Sequence, residues 1–97
     1  MASRADRTQT SIRRALPKLL AAQGLSQREF AARIGFPQSY LSRTLSAERS
    51  PSKRFLEAAA RGLGLPKDYF PEYRQHVVID ALKRRPALRD KIYDSLR

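Results

Sequence analysis

The sequence predicts an all-α protein, and three observations carry that expectation. Period-2 alternation is absent, and β-branched residues are sparse until Val77-Val78-Ile79, so no strand is expected. Apolar residues recur instead at helical spacing, segment after segment. Ser26 stands three residues before Glu29, the S-x-x-E spacing of a capping box at a helix start.

Residues 1–10 are polar, contain Arg4 and Arg7, and are expected to form a flexible basic arm. A first helix is expected over about 11–23. Ile12, Leu16, Leu19 and Leu20 share one face, and Gly24 is a natural stop. Pro17 falls inside this stretch, so a start nearer Leu16 is an alternative. Leu25 and Phe30 occupy the two positions of a hydrophobic staple around the Ser26 cap. The second helix then runs to Gly35 with Phe30, Ala31 and Ile34 as its buried stripe.

A third helix is expected from Pro37 or Gln38 to about Ser46. Leu41 and Leu45 turn inward, and Ser39 and Arg43 point away from them, flanked by Tyr40 and Ser42. Pro51-Ser52 opens a fourth helix, with Phe55, Leu56 and Ala59 inward and Gly62 or Gly64 as its end. Leu63 and Leu65 should close the core. A short helical turn is expected at Tyr69-Phe70, then a helix over 72–85, and Pro86 begins a last one. Leu88, Ile92 and Leu96 of that last helix are in register. Such a stripe packs either back on the domain or onto a second copy.

The chain has 97 residues, enough for one small domain. Twenty Lys+Arg against nine Asp+Glu give a net charge of +11, which favours a polyanionic partner, nucleic acid first. The excess is spread along the chain: five basic and one acidic residue in 1–25, seven and three in 26–65, eight and five in 66–97. Cysteine is absent and His76 is the single histidine, so thiolate sites are excluded and a protein-only zinc site is not expected. No cofactor is expected. There is no apolar run of membrane-spanning length and no secretory leader pattern. A soluble, cytoplasmic, nucleoid-associated protein is the expectation.

Residues 27–46 have the layout of a helix-turn-helix: two short helices joined by a tight turn containing glycine. Ala31 sits where the helices cross, Gly35 supplies the turn, and Leu41 anchors the second helix. One face of that second helix is left for DNA.

The run GLSQREFAARIGFPQSYLSRTLSAERSPSKRFLEAAARGLGL resembles the Cro/Xre-type helix-turn-helix domain of phage repressors and bacterial regulators. The resemblance extends from about Ile12 to Phe70. Its most specific pieces are G-L-S-Q-R-E-F-A at 24–31, I-G at 34–35 and L-G-L at 63–65. It implies a five-helix repressor-like bundle over 11–70, whose third helix enters the major groove. Residues 71–97 would add one or two helices. The resemblance also implies that Gln27 meets a phosphate and that Gln38, Ser39 and Arg43 match positions that touch base edges.

Three departures stand out. Pro37 occupies the N-cap place of the third helix, where many members have Ser or Thr. Ala47 stands where many have Gly. Leu20 and Leu45 hold the places of a buried Arg–Glu pair found in some members, a replacement that costs no stability in principle.

The candidate site residues divide by physical role. Arg43 has the fork to pair with guanine, and Gln38 the amide to pair with adenine. Ser39 and Ser42 complete the base-facing set. Gln27, Arg28, Tyr40, Arg49, Lys53 and Arg54 are candidates for the DNA backbone, the last three basic residues clustering around the start of the fourth helix. For Tyr40, half-burial against the first turn is the competing reading. Lys83-Arg84-Arg85 reads as a solvated face or a second DNA patch.

The expected function is sequence-specific binding of double-stranded DNA by a transcriptional regulator, as a homodimer with residues 72–96 as the dimer element. The alternative is an antitoxin-like or phage-encoded interaction module whose main partner is another protein. No catalytic constellation is visible, so no enzyme is expected, and an aromatic platform for single-stranded RNA is missing.

Overall fold

The computed structural model describes residues 7–97, which form six helices and no strand. They are α1 (Ile12–Ala22), α2 (Gln27–Ile34), α3 (Gln38–Leu45), α4 (Lys53–Gly62), α5 (Pro71–Arg84) and α6 (Pro86–Leu96). The all-α expectation holds.

One core is shared by α1 through the start of α5. Ile12, Leu16 and Leu20 of α1 meet Phe30 and Ala31 of α2, Leu41 of α3, and Phe55, Leu56, Ala59 and Ala60 of α4. Burial of these stripes, rather than helix propensity, holds such short helices together. Leu63, Phe70 and Tyr73 close the core, and Leu45 and Leu65 pack at its margin.

Helix α1 begins at Ile12, not near Leu16, and runs through Pro17. Arg13 and Pro17 are both exposed, so the carbonyl that proline leaves without a donor lies on the solvent side. The start is held from elsewhere. Ser11 makes no side-chain cap, and the Ile12 N–H instead donates to both carboxylate oxygens of Glu72 at 3.1 Å.

The capping box of α2 is complete: the Glu29 N–H donates to Ser26 Oγ at 3.0 Å, and the Ser26 N–H donates to Glu29 Oε1 at 2.9 Å. Helix α4 is capped by Ser52, whose Oγ accepts from the Phe55 N–H at 3.1 Å. Gly62 is not its stop; it is the last residue of the helix and lies against α2. A Cβ there would come within 2.5 Å of Ile34 Cγ2 and 3.2 Å of Phe30 Cε1. The reversal is made at Gly64, at φ 74°.

The expected helical turn at Tyr69-Phe70 is a simple turn, closed by the Tyr69 N–H donating to the Pro66 carbonyl at 3.0 Å. The fifth helix of the bundle is therefore α5. Its first turns are part of the body. Tyr73 is buried, and its hydroxyl donates to Glu57 Oε2 of α4 at 3.0 Å. Arg74 donates to the carbonyls of Asp68, Tyr69 and Thr8. The Thr8 N–H donates to the Tyr69 carbonyl, and Arg7 pairs with Asp68 at 3.1 Å. The expected arm over 1–10 thus has its last residues fastened to the body, while Arg4 lies outside the described residues.

Beyond Tyr73 no residue of the chain belongs to the core. Arg85 sits at φ −131°, ψ 78°, an extended conformation that the following Pro86 favours. Helix α6 then starts with proline in its first turn and buries no residue. Leu88 is half-buried, but Ile92 and Leu96 are exposed, the latter by 78%. The stripe expected here is therefore covered at Leu88 and left open toward its end. No helix among the described residues is long and apolar enough to cross a membrane.

Candidate nucleic-acid interface

The candidate interface is assembled from α2, a glycine turn, α3 and the loop into α4. The capping box makes Gln27 and Arg28 the first two residues of α2, both exposed. At the other end Gly35 takes the left-handed conformation, φ 76°, which any other residue would adopt at a cost. The Gly35 and Phe36 N–H groups return to the Ala31 carbonyl at 3.0 and 3.1 Å, so the turn has no slack. Ala31 is buried beneath it.

Helix α3 starts at Gln38 with Pro37 as its N-cap and no side-chain cap bond. Its first turn is held by the Pro37 carbonyl, which accepts from Tyr40 and Leu41 at 3.0 and 3.4 Å. Leu41 and Thr44 are buried, and Thr44 Oγ1 satisfies itself on the Tyr40 carbonyl at 2.9 Å. That local bond lets the polar Thr44 take an inward position beside Leu41. Gln38, Ser39, Ser42 and Arg43 are all exposed and, at helical spacing, occupy an arc of about 140°. The structure therefore brings the four expected base-facing side chains onto one open face. Among the described residues Arg43 has no acidic partner within ion-pair distance.

The loop after α3 is tied to Arg43 by its backbone. The Arg43 carbonyl accepts from Glu48 N at 2.9 Å, Arg49 N at 3.2 Å and Ser46 Oγ at 3.2 Å. This closure sets Ala47 at φ 67°, the one positive φ outside glycine among the described residues. Ala47 is thus a strained alanine in a conformation that suits glycine.

Tyr40 packs against its own domain. It is half-buried, with its ring 5.2 Å from Phe36 and 4.9 Å from Phe55. Its hydroxyl accepts from the Ser52 N–H at 3.0 Å. Arg49 lies over its outer face, guanidinium carbon 4.7 Å from the ring centroid. Arg54 lies 5.8 Å from the centroid of Phe36, so both arginines border α3. Lys53 departs from this cluster. It is half-buried, with its ammonium 5.8 Å from the ring of Tyr73 on α5.

Two contributions were not visible in the sequence. Phe36 is the floor on which Tyr40, Phe55 and Arg54 meet. His76 Nε2 lies 2.9 Å from the Pro51 carbonyl, joining α5 to the loop. A groove of about 240 Å³ beside this contact is lined by Ser50, Pro51, Glu72, Gln75, His76 and Ile79. Of the remaining basic residues, Arg33 donates to the Gly62 carbonyl and Arg61 pairs with Glu57, both away from α3.

A family model described as helix-turn-helix matches residues 18–70, from the middle of α1 to the turn before α5. No curated protein and no solved structure matches the chain.

Proposed function

Because this chain belongs to the Cro/Xre-type family of DNA-binding helix-turn-helix domains, we propose that it is a transcriptional regulator that reads double-stranded DNA with α3 in the major groove. The observation that carries this reading is the open face of α3. Gln38, Ser39, Ser42 and Arg43 stand exposed on one side while Leu41 and Thr44 are buried on the other. Arg43 donates to the major-groove edge of guanine and Gln38 pairs with adenine. Gln27, Arg28, Arg49 and Arg54 flank that face and take phosphates, which position the protein without reading sequence. Lys53 is a weaker member of this set, since it is half-buried and its ammonium lies toward Tyr73 of α5 instead of toward α3.

A homodimer is part of the proposal, formed through α5 and α6. Support comes from the exposed apolar side chains there, among them Val78 at 56%, Tyr93 at 62% and Leu96 at 78%. Helix α6 also mixes charges, Arg89 and Lys91 with Asp90 and Asp94. It is a surface on which two strongly basic chains approach with little repulsion. Two-fold pairing matches two half-sites on the duplex. The same apolar face favours a second reading, an interaction module with a different protein as partner. A chain ending after Arg85 discriminates: a homodimer becomes monomeric with weakened DNA binding, whereas an adaptor keeps its DNA affinity and loses its partner.

The test of the DNA reading is duplex affinity against salt. Affinity should fall linearly on logarithmic axes, with a slope near −0.9 for each phosphate neutralised. A flat response would remove the proposal.

A further inference from the structure

We propose that Tyr40 is a positioning residue that locks the phosphate-gripping loop to the base-reading helix before DNA arrives. The inference rests on the DNA-binding reading of α3 and adds to it a residue whose role is to hold the others.

Tyr40 is itself on α3. Its side chain leaves the groove-facing arc and makes three kinds of contact with its surroundings. The ring sits on Phe36 and Phe55, so it has little freedom to turn. The hydroxyl accepts from the Ser52 N–H at 3.0 Å, where α4 begins. The exposed ring face carries the Arg49 guanidinium at 4.7 Å. Arg49 has no acidic partner among the described residues, so this contact orients it without neutralising it. A cation resting on an aromatic face keeps its charge and its N–H donors for an anion. The backbone supplies a second tie, since the Arg49 N–H donates to the Arg43 carbonyl at 3.2 Å. A single loop is thereby referenced to α3 at Arg49, through side chain and backbone, and at Ser52. A phosphate bound by Arg49 then fixes the depth and angle at which Arg43 meets its base pair. Pre-ordering also removes the entropy cost of freezing a long arginine side chain on binding.

The full-length chain is tested as wild type, Tyr40→Phe, Tyr40→Leu, Arg49→Ala and the Tyr40→Leu/Arg49→Ala pair, on a selected duplex and an unrelated one. Arg49→Ala should weaken both duplexes about ten-fold and flatten the salt slope by about one phosphate. Tyr40→Leu should do the same, and the double variant should be no worse than the weaker single one to within about two-fold. Tyr40→Phe keeps the ring and should cost about three-fold on both duplexes, by freeing the Ser52 N–H. In the free protein, the Arg49 side-chain protons should be shifted upfield by the ring in wild type and Tyr40→Phe, and not in Tyr40→Leu. Additive losses in the double variant, or an unshifted Arg49 in the free wild type, would overturn the proposal. Should Tyr40→Leu not fold, the Arg49 shift in wild type and the loss in Tyr40→Phe decide it: an unshifted Arg49 or undiminished affinity in Tyr40→Phe overturns it. If the wild type binds no duplex in a salt-dependent way, the DNA reading fails and this inference with it. Binding by the wild type with additive variants sinks only the role of Tyr40.

Discussion

Glu72 and Ile12 stand sixty positions apart, yet the Glu72 carboxylate accepts the first N–H of α1 with both oxygens at 3.1 Å. Helix α1 has no side-chain cap of its own, so the start of α5 supplies one. The family match ends at residue 70, but the folding unit continues to the second turn of α5. A chain ending after Phe70 should lose the Tyr73 core contact and this cap, and melt well below the full chain. A chain ending after Arg85 should retain a cooperative thermal transition close to that of the full chain. Glu72→Ala alone should cost about 1 kcal/mol, the usual value of a helix cap. Circular dichroism melts check all three.

Ala47 holds a left-handed conformation at φ 67°. For an L-residue with a Cβ this costs roughly 1–2 kcal/mol. Glycine removes that strain but gains unfolded-state freedom, worth about 0.4–1 kcal/mol in the other direction. Ala47→Gly should therefore stabilise the protein by roughly 0.5–1 kcal/mol and raise its melting temperature by a few degrees. A lowered melting temperature would mean that the loop is not closed as described.

Gly62→Ala should act in the opposite sense. The added Cβ would meet Ile34 Cγ2 at 2.5 Å, next to the fully buried ring of Phe30. Forcing α4 away from α2 should cost about 1–3 kcal/mol, more than the helix propensity gained. Denaturant titration of the two proteins gives the difference directly.

The Glu29 carboxyl is held below the usual glutamate value, first by the Ser26 backbone N–H and then by the Ser26 hydroxyl. A carboxyl lowered in the folded state contributes stability that is fully present above its ordinary value and is lost as pH falls through the lowered one. Carbon-13 titration of Glu29 should therefore show a midpoint below that of a free glutamate, and Ser26→Ala, which removes the hydroxyl but keeps the backbone N–H, should raise it only part of the way. A wild-type midpoint at or above that of a free glutamate would contradict the capping box.

These contacts separate what a sequence displays from what it hides. The capping box at Ser26 and Glu29 was legible because its two residues lie three apart and answer each other locally. The open face of α3 was legible because helical spacing alone sorts Leu41 from Ser39 and Arg43. Pro17 left two helix starts open because its cost depends on which face it occupies, and that face is exposed. The Glu72–Ile12, Tyr40–Ser52 and His76–Pro51 contacts join residues of common types across twelve to sixty positions, and no local pattern announces them. Tyr40 is the clearest case. Its spacing puts it at the edge of the groove-facing set, and only the position of the loop shows that its hydroxyl is already engaged with the protein.

Everything proposed for this protein turns on α3 reading base edges through Arg43. The decisive measurement is selection of bound sites from a random duplex library, with wild type and with Arg43→Ala. The wild type should yield a site with two-fold symmetry, containing a guanine that the variant no longer requires. Positions elsewhere in the site should keep their preference. Discrimination at that pair should fall by about 1–3 kcal/mol. An Arg43→Ala library with the same sites as the wild type would show that α3 does not read DNA through Arg43.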